Sequence, residues 1–473
     1  MTANLFSREP AYEEAEFVGR TAILRWVEKR LSSTSPQNIN LAGEPRIGRT
    51  STLHQVYARR LGLPPSTKGL YVWMPATELP VRTSQTFWKE MLSRLESKLP
   101  TDLVGPAVES TADAGETFDR LIERLEQLIE DHGYERIIYF IDDFDVLLPG
   151  IGVHDLDWLR SMVTRFRNQV AFVIASTDTL WYLTKDLQER SISPFHNVFS
   201  SRRLGLLTRE EAVDLIQLSA KTSEHPSINI QHIEFLIREA GRHPDLLRIA
   251  SEHFIDTLMV YGDSLTGESL YDAVRTDFRY DGHVHWLYEQ LFARRTAAEQ
   301  HALLDLAQGI RSGDTLLLNH LELHVGLIRR VDGDYFPFSD SFRAWLSQQV
   351  ESTGTIPDTS AQIVPPPPSS VPTLYFDPGK RQVHIGDRVP MRLTKLEYRI
   401  VNYMIARVGQ VCTHEDLLQH IWGGNRNKAV VEKAMNRLRS RLEPDVAIPQ
   451  YIVSVRGQGY MLQNSEVIGN QDQ

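Results

Sequence analysis

Four consecutive prolines, Pro365–Pro368, sit inside the stretch Glu351–Thr373, which reads ESTGTIPDTSAQIVPPPPSSVPT. Proline fixes φ, removes an amide donor and clashes with helical geometry, so neither a helix nor a paired strand survives that composition. The stretch is expected to be an extended, semi-rigid spacer. The chain of 473 residues therefore divides into ~350 residues before the spacer and ~100 after it, each enough for its own hydrophobic core. One cysteine, Cys412, rules out an intrachain disulfide and with it a stapled secreted scaffold. The acidic N-terminus MTANLFSREPAYEEAEFVGR has no apolar run of signal-peptide length. No window reaches the ~18 apolar residues of a membrane span. A soluble, cytoplasmic protein without a membrane partner is expected.

The first block mixes short apolar runs with amphipathic stretches. Asn38–Gly43, Leu70–Pro75, Arg136–Asp142 and Val170–Ser176 read as buried strands. Between them Thr50–Leu61, Thr86–Lys98, Thr117–His132 and Asp155–Asn168 read as helices. Strands alternating with helices predict a parallel α/β sheet covered on both faces. After about Leu207 the pattern becomes helical, over Thr208–Ser219, Gln231–Ala240, Pro244–Tyr261 and Gly267–Asp277. Helices at Thr296–Ala307 and Asp314–His324, then Gly326–Val331 and Asp334–Pro337 around Asp332-Gly333, give the order of a winged helix.

The segment GEPRIGRTS after the first strand fits G-x-x-x-x-G-[KR]-[ST], with Gly43, Gly48, Arg49 and Thr50 in the fixed places. The glycines let successive N–H groups curl around phosphate oxygens, and the following helix adds its positive end. The Thr50 hydroxyl suits Mg²⁺. Arg49 stands where Lys is usual; it keeps the charge but is longer and planar. Downstream, IIYFIDDFD is an apolar run ending in acids. Asp142 is placed to hold Mg²⁺ through water, and Asp143 to orient or activate an attacking water as the candidate catalytic residue.

These motifs resemble those of STAND-type ATPases, within the AAA+-related P-loop class, over Phe17–Val350. FVGR at Phe17–Arg20 resembles the family motif that packs by the adenine, which implies nucleotide contacts from Val18 and Arg20. AGEPRIGRTS resembles its P-loop, extending the site through Ser51, and IDDFD its Walker B. VIAST, ending at Ser176 and Thr177, lies where the family has sensor 1. GRHPDLL resembles the Gly-x-x-Pro motif and implies Pro244 near the base. DYFPFSDSFRAWL resembles the end of the family's winged helix, with Ser339 where some members place a His on the ADP β-phosphate. The resemblance implies ATP or ADP with Mg²⁺ as ligands.

Leu374–Leu462 opens with two tight turns, DPGK and IGDR, which suggest a small antiparallel sheet. Helices follow at Lys395–Arg407, His414–Ile421 and Lys428–Leu442, then a strand pair around Arg456–Gly459. On the third helix Val431, Met435, Leu438 and Leu442 form the apolar stripe. Lys428, Lys433, Asn436, Arg437 and Ser440 form a polar face suited to a major groove, where Arg bonds guanine and Asn bonds adenine edges. Lys433 and Arg439 suit phosphates, and Arg456 a phosphate or the minor groove. LTKLEYRIV, GQVCTHEDLLQHIWG, VVEKAMNRLRSRLEP and YIVSVRGQGYML resemble the OmpR/PhoB-type winged helix. That resemblance implies a third helix reading double-stranded DNA, often as tandem dimers. The family's usual His or Thr readers are absent, and so is a receiver domain.

The expected architecture is multidomain. Residues 1–206 form a P-loop NTPase-like α/β domain, 207–285 a helical domain, and 286–350 an internal winged helix. Residues 351–373 are the linker, 374–463 the α+β OmpR/PhoB-type winged helix-turn-helix, and 464–473 a disordered tail. The expected function is a nucleotide-switched DNA-binding transcriptional regulator that self-associates and answers an unspecified signal ligand or protein. The alternatives are an ATP-hydrolysing enzyme or a defence-type sensor that DNA only tethers, and a scaffold without nucleotide. The charge fits a split molecule. The total of 51 Lys and Arg against 61 Asp and Glu gives -10, yet residues 374–462 hold 14 basic against 8 acidic residues. A basic module is fused to an acidic body, so the average says little about nucleic acid.

Overall fold

The computed structural model describes residues 9–105, 112–185, 187, 194–222, 228–261, 264–310, 314–353, 374–385, 390–408, 410–423, 428–443, 449, 451–455, 459–463 and 465–467. Two compact units emerge. The larger is Met1–Val260 with Gln290–Ser347; the smaller is Tyr261–Glu289 with Gln348–Gln473.

In the larger unit, α1 (Thr21–Leu31), β1 (Asn38–Gly43) and α2 (Arg49–Ala58) come first, followed by β2 (Gly69–Pro75). Helices α3 (Ser84–Glu96) and α4 (Ala114–Glu130) lead to β3 (Arg136–Asp142). Then α5 (Val153–Arg165) leads to β4 (Val170–Ser176), and α6 (Leu180–Thr184) to β5 (Phe199–Leu204). All five strands are parallel, in the order β2-β3-β4-β1-β5. Strands β1 to β4 are hydrophobic on both faces because helices cover both. Tyr139, Ile141, Phe172 and Ile174 pack with Trp88, Leu121 and Leu159 of α3–α5. Their neighbours Ile138, Phe140 and Val173 pack with Leu24, Leu53 and Val56 of α1 and α2. Each such side chain, fully buried, stabilises the fold by ~1.5–3 kcal/mol. Strand β5 has no counterpart in the sequence reading. Its FSSRRL lacks an apolar run because it is an edge strand that pairs only with β1 and leaves Arg202 exposed.

A buried amide fixes the sheet's stagger. Asn40, with no exposed surface, donates from Nδ2 to Ser176 Oγ at 2.7 Å, and its Oδ1 accepts from Leu180 N at 3.1 Å and Ser201 Oγ at 3.2 Å.

Helices α7 (Arg209–Thr222), α8 (Ile230–Ala240) and α9 (Pro244–Tyr261) follow. Gly241, left-handed at φ 69°, turns α8 into α9, and a Cβ there would lie 2.5 Å from the Phe338 ring. Further helices are α10 (Glu268–Arg279) and α11 (Gly282–Ala293), and then α12 (Ala297–Ala307). Next comes α13 (Thr315–Asn319), which runs into a π-helical turn at His320–Val325. The hairpin β6 (Ile328–Val331) and β7 (Asp334–Pro337) turns through Asp332 and Gly333, both at positive φ as a type I′ turn requires. The last helix here, α14 (Asp340–Thr353), includes the first three residues of the expected spacer. The rest of the spacer, 354–373, lies outside the described residues. Residues 315–325 contain no Lys or Arg and expose Leu316 and Leu323, unlike a DNA-reading helix.

In the smaller unit β8 (Leu374–Asp377), β9 (Gln382–Ile385) and β10 (Met391–Arg392) form an antiparallel run. Helices α15 (Lys395–Ile405), α16 (His414–Trp422) and α17 (Lys428–Leu442) pack around Ile400, Leu417, Val431, Met435 and Leu438. Strand β11 (Val411–Thr413) pairs with β13 (Gly459–Leu462), which pairs with β12 (Ile452–Val455). Cys412 of β11 is buried, and burial pushes its thiol up. The tail expected to be unstructured contributes β14 (Ser465–Val467), parallel to β8. Its Ser465 is buried and Val467 pairs with Phe376, so pairing and burial hold three tail residues in the fold. The same unit includes α10, with the Arg441 guanidinium 5.6 Å from the Tyr280 ring and Lys395 5.7 Å from Tyr261. Among the described residues, no helix is long and apolar enough to cross a membrane.

Asn40→Ala should cost about 2–3 kcal/mol, because it removes a buried amide that bonds the buried Ser176 hydroxyl and Leu180 amide. Urea unfolding measures this; a loss under ~0.5 kcal/mol, the range of ordinary surface changes, contradicts the role given to the amide.

Candidate functional site

Strand β1 ends at Gly43, and the chain curls through Glu44–Ile47 before α2. Gly43 is close-packed: a Cβ there would lie 2.7 Å from Ile47 Cγ2. Gly48 caps α2 at φ 95°, in the left-handed region that glycine adopts without strain. Its carbonyl takes both the amide (3.0 Å) and the hydroxyl (2.8 Å) of Thr52, which anchors the first turn. The loop thus has the strand–turn–helix context its motif demands.

Register brings the acids alongside. Pro75 of β2 pairs with Asp142 of β3, and Ala42 of β1 with Ser176 of β4, so the strands end together beside the loop. Asp142 is 4 % exposed and bonded to the Thr50 hydroxyl. Burial, then the neighbouring Asp143 charge, pushes its carboxyl up to about 6, against the pull of Thr50 and Arg49. Asp143 sits at φ 51° and pairs with Arg49 through Nη2 at 3.3 Å. Burial raises its carboxyl as well, while Arg49 opposes the shift. The second terminal nitrogen of Arg49, Nη1, is buried and bonds to nothing among the described residues.

A cavity of about 230 Å³ opens beside this cluster. It gathers Val18, Arg20, Gly48, Arg49, Thr50, Ser51, Asp143 and Pro244, residues that lie far apart in the sequence. Gly43 and Asp142 stand behind the wall rather than in it. Arg20, left-handed at φ 59°, donates its amide to Glu211 at 2.6 Å and its Nη2 to the Ile47 carbonyl at 2.9 Å. Burial lowers its pKa to about 10, still a cation at neutral pH. The Ser51 hydroxyl accepts from Ala11 N at 2.9 Å, so it is engaged by the N-terminal arm.

Two family-implied positions face elsewhere. The Ser176 hydroxyl donates to the Asp178 carbonyl (2.7 Å) and takes Asn40, while Thr177 bonds Asp145 through its amide (3.1 Å) and hydroxyl (2.8 Å). Ser339 caps α14, accepting from Phe342 N at 3.1 Å. The sequence reading also missed part of the wall: Pro10, Ala11, Arg46, Asp245 and Arg248 line the cavity too. Arg46 and Asp245 fall on unconstrained positions inside the quoted motifs, and the arm carries no motif at all.

In the smaller unit, Val431, Met435, Leu438 and Leu442 of α17 are buried as the stripe predicts. Arg437 is half-buried. The helix carries Lys428, Lys433, Asn436 and Ser440, whose side chains lie outside the described set, as does the whole of Arg456. Arg439 departs from the expected phosphate-facing position. It is 8 % exposed, donates from Nε to the Ile452 carbonyl at 2.8 Å, and lies 5.4 Å from the Tyr460 ring. The cause was legible: Arg439 follows Met435 by four residues and Val431 by eight, on the buried side of the helix.

Residues 388–462 match the family described as "Transcriptional regulatory protein, C terminal". A probable transcriptional regulator, ycf27 of Guillardia theta, is 36% identical over 94 residues, which are 19% of this chain and 37% of that protein. The chain thus spans little more than a third of the length of that curated relative. Over 72% of its length the chain is similar to the Walker-type ATPase paby2304 of Pyrococcus abyssi (TM-score 0.49, 15% identity, covering 99% of that chain). The Aeropyrum pernix ORC2 protein gives 0.43 at 14% identity, covering 74% and 98%. At these scores the likenesses say nothing of ligands or residues. The chain joins an α/β unit of P-loop NTPase fold to a C-terminal transcriptional-regulator winged helix of OmpR/PhoB type.

Asp142 supplies a pH test. Its carboxyl titrates at about 6 when folded, against an ordinary 3.8. The folded chain holds the extra proton between these values, so stability is full below them and falls as pH rises through the window. Asp142→Asn carries no such titration. It should stabilise the ligand-free protein by ~1–3 kcal/mol near pH 8 and change little near pH 4. Urea melts across that range read the difference; a variant less stable than wild type near pH 8 contradicts the assignment.

Proposed function

We propose that this chain is a nucleotide-binding transcriptional regulator. Its P-loop unit binds ATP or ADP with Mg²⁺, and its C-terminal winged helix binds double-stranded DNA. The observation that carries the nucleotide half is Arg49 Nη1, a buried guanidinium nitrogen without a partner at the edge of a cavity. A buried donor left unbonded costs free energy that a phosphate oxygen would recover.

The residues present fit the ligand. Backbone amides from Arg46 to Thr50 and the start of α2 would hold phosphates, with Arg49 as the charged arm. The Thr50 hydroxyl and the Asp142 carboxylate would hold Mg²⁺, which needs that carboxylate ionised. Phe17, Val18 and Pro244 supply an apolar wall for a base. The bound Mg²⁺–nucleotide would supply a strong local charge. Arg49 and Asp143 already neutralise each other, which favours binding and slow turnover over an enzyme built for hydrolysis. Asp143 is a poor base while it faces a guanidinium. Nucleotide state would bias self-association, and several winged helices assembled on one DNA would gain avidity through effective concentration.

Lys428, Lys433, Asn436, Arg437 and Ser440 are the proposed DNA face, with Arg456 reaching a neighbouring phosphate or minor groove. Arg439 acts inside the domain and is left out of that set.

Mg²⁺–ADP at a hundredfold its Kd should stabilise the protein by ~2.7 kcal/mol, read as a rise in Tm; no shift at millimolar nucleotide removes the nucleotide half. Arg437→Ala should lower DNA affinity and reduce the salt slope of log K by ~1, whereas an unchanged slope removes that contact.

A further inference from the structure

The residues between Gly43 and Gly48 fill the variable positions of the phosphate motif, yet Glu44, Pro45 and Arg46 are tied to two distant segments of the larger unit. Glu44, 5 % exposed, takes Arg295 Nη2 on both carboxylate oxygens at 3.0 and 2.9 Å, with Arg203 Nη1 at 3.6 Å. Arg295 immediately precedes the capping box of Thr296 and Glu299 that starts α12. The Pro45 carbonyl accepts from His243 Nε2 at 3.2 Å. Arg46, held left-handed at φ 61°, grips Asp245 through Nε at 3.0 Å and Nη2 at 3.1 Å. His243 and Asp245 flank Pro244 at the start of α9, and Pro244, Asp245 and Arg248 form one wall of the cavity.

Simple packing is a poor account of these pairs. Asp245 is 6 % exposed and Glu44 5 %. Buried carboxylates are costly unless paired, and apolar residues of similar size would hold the same surfaces at no such cost. Arg46 and Asp245 line the cavity where the loop meets the α9 wall, while Glu44–Arg295 ties the same loop to the residue before α12. A ligand held between the loop and the α9 wall is released more easily once that wall moves off the loop, which breaks Arg46–Asp245, and once the loop itself is freed from Arg295.

We propose that Glu44–Arg295 and Arg46–Asp245 are a two-point latch that holds α9 and the start of α12 against the phosphate loop and sets the rate of nucleotide exchange. The latch rests on the nucleotide assignment above and adds to it four positioning residues. The two points act together, because freeing either takes a buried carboxylate away from its nearest guanidinium. Release is therefore slowed far more than entry.

The test is stopped-flow release of a fluorescent ADP analogue with Mg²⁺ from the full chain, chased with unlabelled ADP. Asp245→Asn, and the charge-free pair Glu44→Gln with Arg295→Met, should each speed release by ~10-fold or more, with association changed by less than about threefold. The exchanged pair Arg46→Asp with Asp245→Arg should return release to within about threefold of wild type. Unchanged release in folded variants overturns the latch while leaving nucleotide binding intact. Failure of the wild type to bind the analogue removes the nucleotide assignment itself, and the latch with it. Hydrogen exchange on the wild type covers variants that do not fold. ADP should slow the amides of residues 245–248 and 296–299 by a common factor, and protection of one segment alone overturns the proposal.

Discussion

One side-chain amide on the central strand sets the frame for everything at the strand ends. Asn40 reaches β4 through Ser176, β5 through Ser201 and the start of α6 through Leu180. Apolar neighbours would pack β1 equally well one residue out of step. A buried polar group with three partners would not, since a slip leaves it and them unbonded. The stagger in turn sets Gly43 and Asp142 at one end of the sheet. A loop and an acid far apart in sequence thereby come to share one cluster. The register is held by hydrogen bonding, and the hydrophobic faces supply most of the free energy without specifying it.

The cavity is balanced in charge. Arg20, Arg46, Arg49 and Arg248 face Glu9, Glu16, Asp143 and Asp245 around its wall. In so acidic a body, unpaired arginines would be needed to draw in a polyanion, yet here most are already engaged. Phosphate would enter by competing for guanidinium groups rather than by filling an empty positive well. Such a site favours discrimination by geometry over raw electrostatic attraction. Charge divides along the chain in the same manner. Residues 315–325 carry exposed leucines and no Lys or Arg, and residues 374–462 carry the basic excess.

The local motifs were legible because each has a local cause. Strands β1, β3 and β4 announce themselves as apolar runs, and the loop as glycines at fixed spacing. Thr394 and Thr413 begin their helices with capping boxes visible as a Thr followed three residues later by an acid. What escaped was non-local. Strand β5 is polar because one edge meets no other strand. Strand β14 is three residues whose partner lies some ninety positions earlier. The N-terminal arm holds its place through Ala11 and Ser51, and Gln55 reaching the Tyr12 carbonyl, contacts that no periodicity encodes. Arg439 is the instructive exception. Its spacing placed it with the core, but its charge read as surface, and a carbonyl and a tyrosine ring satisfy it indoors.

The lone thiol in the chain stands on β11, where Cys412 faces Tyr460 across the ladder and is 2 % exposed. A thiol so enclosed reacts with an electrophile only when the strand comes away from its partner. The speed at which Cys412 is modified is therefore a clock for the opening of the C-terminal domain. No other sulfhydryl competes with it, and no label has to be introduced. Against that silent background, a cysteine placed anywhere on the surface would be modified at once. The molecule thus comes with a natural contrast between outside and inside.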